Sequence, residues 1–194
     1  MNLEYLGIST SRAIITALAP ENPIGLALDA RLTSHPRVTD FRRSAREDSI
    51  LVESAAPSGS IVRVVRLSER IVKVVATPAC IALLPEVRRQ LRRSLAARTL
   101  FVGEHWLRRR PHIEVSRLIV EAAPLMVSPL DRLQLLDFLM DQGGHATLID
   151  CASRMSRSED PVSAVLAVAA AKAISIDIAR PLGPLTCVSL ARAL

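Results

Sequence analysis

The sequence predicts an α/β chain in two parts. A sheet flanked by helices occupies residues 1–125, and three helices followed by a β-hairpin occupy 126–194. Three observations predict it. Two β-branched runs, Ile61–Leu67 and Ile71–Ala76, are joined only by Ser68-Glu69-Arg70, which reads as a hairpin. From Leu84 to Val102 the hydrophobic spacing changes from helical to strand-like. Composition then shifts at Met126–Pro129, a short segment with Pro124 before it and Pro129 at its end.

Taken in order, the first expected strand is Ala13–Leu18. Glu21-Asn22-Pro23 opens a helix, because Asn22 is a good cap and Pro23 suits the first helical position. Ile24, Leu28 and Leu32 share one face of it, and it stops before Pro36. Val38–Phe41 and Ser49–Glu53 read as short strands, and Ala55–Ser60 as a loop of small residues. The hairpin strands are apolar on both faces and belong in the middle of a covered sheet. Pro78 and Pro85 flank the link to the next helix, on which Leu84, Val87, Leu91 and Leu95 form a stripe. Thr99–Val102 reads as a buried strand, and Glu104–Arg110 as a short polar helix or turn. A helix from Pro111 to Pro124 carries Val115, Leu118, Ile119 and Ala122. Beyond the linker, Leu130–Met140 is a helix closed by Gly143-Gly144, and Thr147–Ser153 is a second. Asp160-Pro161 starts a third, to Lys172. Ile174–Ile178 and Thr186–Leu190 form a hairpin around Arg180–Pro184. Three helices and then a β-hairpin is the pattern of a winged helix.

The 194 residues suffice for one large or two small domains, and 49% hydrophobic content excludes a disordered chain. Aromatics are 3%, so the core is built from Leu, Val, Ile and Ala, and single-strand binding by aromatic stacking is disfavoured. The formal net charge of +6 points to a polyanionic partner such as DNA, although only two of the 25 basic residues are lysine, as biased genomic composition also produces. Cys80, Cys151 and Cys187 are dispersed and odd in number, which fits a reducing cytoplasm. His35, His105, His112 and His145 show no zinc spacing. Ala13–Ala19 is too short for a signal core, and Val162–Ala171 is too short to span a bilayer, so no membrane association is expected.

The stretch Leu84–Arg117 carries nine arginines, three glutamates and the only tryptophan. Arg88, Arg89, Arg92 and Arg93 lie on one helix, while Arg108, Arg109 and Arg110 lie beside Trp106. Each group reads either as a solvated face or as a set of phosphate-binding forks. The third helix after the linker, Pro161–Ala171, is Val, Leu and Ala with one Ser, so it has nothing to read base edges and should be buried.

In order and spacing the chain resembles TnsA-like transposon endonucleases. The residues that carry the resemblance are Glu21-Asn22-Pro23, His35-Pro36-Arg37-Val38, Thr77-Pro78-Ala79, Phe101-Val102-Gly103-Glu104, Leu107 to Pro111, and Asp177 with Arg180-Pro181-Leu182, Pro184 and Thr186. The resemblance spans about residues 10–190 and implies a restriction-endonuclease-like mixed sheet with flanking helices, followed by a winged-helix domain. It also implies a transposase partner and magnesium chemistry: a helix glutamate, an acid opening one hairpin strand, and an acid-x-Lys on the next.

Glu21 matches the helix glutamate by position. The other places hold Ser60-Ile61 and Val74-Val75-Ala76, which carry no acid. Lys73 is close to the lysine position but out of step with it, and a one-residue slip reverses a strand's faces. Glu53 and Glu69 are candidates for relocated acids, each also readable as a solvated carboxylate. The expectation is a catalytically degenerate nuclease fold that binds DNA or assembles with a transposase, with no cofactor. The alternatives are an active magnesium-dependent endonuclease using Glu21 and relocated acids, or a winged-helix adaptor or regulator unrelated to transposition. No GxSxG, Walker A or GxGxxG motif supports another enzyme class.

Overall fold

A computed structural model describes residues 22–68, 70–78 and 83–191. The expected strand at Ala13–Leu18, Glu21, Glu69 and Cys80 lie outside the described residues. Helix α1, Pro23–Ser34, starts as expected: the Asn22 side chain accepts from the Ile24 amide, and Pro23 occupies the first turn. Strand β1 (Val38–Arg43) leads to helix α2 (Arg46–Ala55), then strands β2 (Ile61–Leu67) and β3 (Arg70–Thr77). Helix α3 (Pro85–Ser94) crosses to strand β4 (Thr99–Gly103), which runs straight into the one-turn helix α4 (Glu104–Leu107). Helix α5, His112–Ala122, follows the basic turn.

The result is a mixed α/β layer structure. Its four-stranded sheet has the order β1-β2-β3-β4, antiparallel up to β3, with β4 parallel to β3. The β-branched hairpin β2–β3 is central, as its two apolar faces require. On one face Val65, Val72, Val74 and Ala76 pack against Ile24, Leu28 and Leu32 of α1 and Leu107 of α4. On the other, Val62 and Val75 pack against Val52 of α2, Leu91 of α3 and Leu95 just after it.

One expectation is corrected here. Ser49–Glu53 is not a strand but the middle of α2. A three-residue apolar run, Ile50-Leu51-Val52, does not distinguish strand from helix by periodicity. Glu47 and Asp48 in the first turn favour a helix start through the macrodipole. Only Val52 is fully buried, so one stripe, not alternate residues, meets the sheet. Glu53 accordingly sits on the exposed side of a helix.

The second part contains helices α6 (Pro129–Asp141), α7 (Leu148–Ala152) and α8 (Pro161–Ala170), with strands β5 (His145–Thr147), β6 (Ile174–Ile176) and β7 (Cys187–Leu190). The strands form a small antiparallel sheet of order β5-β7-β6. Strand β5, only three residues long, was not anticipated from sequence. Gly143 and Gly144 close α6 with positive φ, and the Gly144 amide reaches back to the Leu139 carbonyl at 2.7 Å. Six consecutive residues of α8, Ala164–Ala169, are buried, as an all-apolar helix demands.

Helix α5 ties the two parts together. It packs on both α1 and α8. Its Val115, Ile119 and Ala122 belong to the core around α6–α8, while Ile113 borders the α1 core and Ser116 shares a hydrogen bond of 2.7 Å with Ser34 of α1. Lys172 makes a second tie. It takes a left-handed backbone, φ +64°, after α8, which aims its ammonium at the end of α1. There Nζ donates to the carbonyls of Leu32, Thr33 and His35. The Leu32 and His35 carbonyls also accept from the His35 and Val38 amides, and a helix C-terminus is where positive charge is favoured. Burial pushes the Lys172 ammonium down to about 8.

Candidate nucleic-acid interface

The hairpin face that meets α1 presents Ile61 and Arg63 from β2, and Val74 and Ala76 from β3. Arg63 is held by Asp29 of α1: Nε donates to Oδ1 at 2.8 Å and Nη2 to Oδ2 at 3.0 Å, a bidentate fork. The carboxylate that α1 turns toward the hairpin is thus engaged by a guanidinium. A charged residue inside a central apolar strand is a sequence signal that a partner must exist, but it does not say which one.

Lys73 points to the opposite face. Its Nζ donates to Asp48 of α2 and, at 2.8 Å, to the Leu95 carbonyl after α3. Asp48 also accepts from the Ser44 hydroxyl. Burial pushes the Asp48 carboxyl up, but the Lys73 and Ser44 hydrogen bonds and the Lys73 charge outweigh it and hold the group below the usual aspartate value. Lys73 fastens both covering helices to the sheet. Among the described residues, no group of three or more His, Cys, Asp and Glu side chains converges as a metal site.

The seven arginines that adjoin in sequence divide between two layers. Arg88, Arg89, Arg92 and Arg93 are exposed on α3, whose Val87 and Leu91 pack toward the sheet on the α2 side. Arg88 and Arg92 lie over the Phe101 ring at 5.9 and 5.6 Å. Their guanidinium heads thus lie against a β4 side chain, while both residues remain exposed. Arg108, Arg109 and Arg110 follow α4, on the α1 side. One stretch of sequence therefore supplies two separate basic surfaces.

At the basic turn, Arg108 pairs with Glu104 at 2.6 Å and Arg110 with Glu114 at 3.1 Å. Both are i,i+4 pairs; the Arg110–Glu114 pair is exposed and worth about 0.3–0.5 kcal/mol, so it yields readily to a phosphate, whereas Glu104 is half-buried. Arg109 is exposed and has no ion pair among the described residues. It joins Arg108, Arg110, Glu104 and His105 around an open depression of about 470 Å³. Behind the turn lies a residue that sequence analysis did not single out. Arg31 of α1 is 94% buried, and its guanidinium stacks under Trp106 at 4.4 Å. Among the described residues its Nε and Nη1 have no hydrogen-bond partner, nor has Nδ1 of His112. Burial, and then the charge of Arg109, lower the Arg31 pKa. Burial, Arg31 and Arg109 lower that of His112, with Asp177 opposing.

No family model matches the chain, and no curated protein or solved structure matches it either. Among the described residues no helix is long and apolar enough to cross a membrane.

Proposed function

We propose that the chain is a TnsA-like protein with a restriction-endonuclease-like fold and a winged helix, degenerate at its catalytic acids. In this reading it serves as a DNA-binding or assembly subunit beside a transposase. The observation that carries the non-catalytic part is the Arg63–Asp29 fork at 2.8 Å on the hairpin face toward α1. A guanidinium stands two residues beyond Ile61, where the resemblance expects the hairpin's first acid. A divalent cation there would find both oxygens of the Asp29 carboxylate already taken by that guanidinium. Opposite it, Val74 and Ala76 are buried in the α1 core. The central hairpin against α1, and three helices with a small antiparallel sheet after it, support the two-domain reading.

DNA contact is assigned to the exposed basic turn, Arg108–Arg110, and secondarily to Arg88, Arg89, Arg92 and Arg93. The buried, apolar α8 offers no base-reading side chain, so binding is through phosphates and indifferent to sequence. The test is duplex affinity against salt. Each phosphate neutralised contributes about −0.9 to the log–log slope. Replacing Arg108, Arg109 and Arg110 by alanine should flatten the slope by roughly one unit per lost contact, equally for all sequences. Wild-type slope and affinity in that variant would remove the turn from the interface. Magnesium-dependent nicking of supercoiled DNA, abolished by Glu21→Ala, would refute the degenerate reading.

A further inference from the structure

We propose that Arg31, Arg109 and His112 form a binding site for a single phosphate group, entered beside Trp106 from the depression at the basic turn. The argument rests on these residues and stands or falls separately from duplex binding.

Arg31 is the anomaly. Arginine keeps its charge inside proteins, so a buried guanidinium needs oxygen acceptors in its plane. Trp106 covers one face of the guanidinium plane but satisfies none of the in-plane N–H groups. Nε and Nη1 remain buried and without a partner among the described residues. No carboxylate of the described residues lies within 4.0 Å of Arg31. Its charged neighbours make the deficit larger. Arg109 acts on Arg31, and both act on His112, with Asp177 the one acid that opposes them at the imidazole. Among the described residues two guanidinium nitrogens and an imidazole nitrogen are thus without partners, close enough to the exposed Arg109 to feel its charge, with Asp177 the one acid acting on the imidazole.

A tetrahedral oxyanion fits this demand. Its oxygens accept from several directions at once, and guanidinium groups match phosphate geometry. Arg109 supplies the route, since it lines the open depression and also acts electrostatically on Arg31. Trp106, which follows His105 of that depression in the chain, is 42% exposed. An entering phosphate would neutralise the cluster and favour the protonated form of His112, which then donates from Nδ1.

The probe is inorganic phosphate added to the full chain, against chloride at equal ionic strength, read by melting temperature and by the His112 imidazole NMR signals. A saturable rise in melting temperature is expected, with an upward shift of the His112 titration. Arg109→Ala, an exposed change that leaves the fold intact, should weaken phosphate binding about tenfold or more, while Arg93→Ala on the other layer should not. Arg31→Met removes an unpaired buried charge. It should melt no lower than the wild type without phosphate and lose the phosphate response. A Met variant that melts well below wild type would make Arg31 a structural anchor for Trp106 and overturn the proposal. So would the absence of a saturable response, or a response unchanged in Arg109→Ala. Where phosphate binds, a short duplex that displaces it identifies the group as a polynucleotide phosphate. Failure to displace it identifies a small phosphorylated molecule.

Discussion

Lys73 offers the sharpest quantitative test, because two roles for it predict different things. Its Nζ lies 2.8 Å from Asp48 Oδ2 and 2.8 Å from the Leu95 carbonyl. The two side chains are 18% and 17% exposed. Lys73→Met keeps the stem and deletes the charge, leaving Asp48 half-desolvated with only the Ser44 hydroxyl, and the Leu95 carbonyl without its donor. Breaking a fully buried pair costs about 3–5 kcal/mol, and an exposed pair is worth about 0–1 kcal/mol. One-sixth exposure places this pair closer to the first case, at about 2–3 kcal/mol. With a urea slope of about 2 kcal/mol/M the unfolding midpoint should fall by about 1 M. Asp48→Asn combined with Lys73→Met should cost less than Lys73→Met alone, since no uncompensated carboxylate remains. An unchanged midpoint in Lys73→Met would refute the structural role and return the lysine to the list of catalytic candidates.

Three further outcomes are expected. Lys172→Met should lower stability by about 2–4 kcal/mol, because three carbonyls at the end of α1 lose a charged donor, and urea unfolding checks it. The Asp48 carboxyl is held below the unfolded aspartate value of 3.8, so it contributes stability that is fully present above that pH and lost as pH falls through the folded value; Asp48→Asn should flatten the acid limb of wild-type stability below pH 3.8. Limited proteolysis should cut first near Met126, which is 96% exposed, yet the nicked halves should stay together through gel filtration, because α5 is packed on both α1 and α8.

The central hairpin, the start of α1 and the burial of α8 were legible because each rests on a local rule. Those rules are two β-branched runs, apolar on both faces, around a short turn, an Asn cap followed by Pro, and a helix apolar on every side. Helix α2 was not legible, since Ile50-Leu51-Val52 is too short for a period and its acids sit in the preceding turn. Strand β5 was missed because His145–Thr147 has no length of its own and exists only by pairing with β7. The candidate interface was legible in composition and illegible in layout. Adjacent arginines separated because β4 lies between α3 and the basic turn, and consecutive elements that cross a sheet edge end on opposite faces. Arg31 gave no signal at all. Its burial follows from the contact of α1 with Trp106, which is 75 residues away in the chain.

That contact also bears on how the two parts act together. Helix α5 starts at His112, beside Arg31 and Arg109, and continues through Val115, Ile119 and Ala122 into the core of α6–α8. The same helix therefore carries, at one end, an imidazole nitrogen without a partner among the described residues, and part of a second hydrophobic core along its length. The end of α1 is in turn held by Lys172, which follows α8. Burial and the charges of Lys172, Arg31 and Arg37 hold His35 below the usual histidine range at this junction. The junction is thus cationic on both sides of α1's last turn, with Arg31 on one and Lys172 on the other. Like charges held this close repel through a low-dielectric interior, so the packing of α5 and α8 on α1 has to hold them there. Neutralising charge at the Arg31 end removes part of that repulsion. Anion binding at the basic turn should therefore tighten the seam between the two parts, and should reach the C-terminal core through α5 without any element changing its fold.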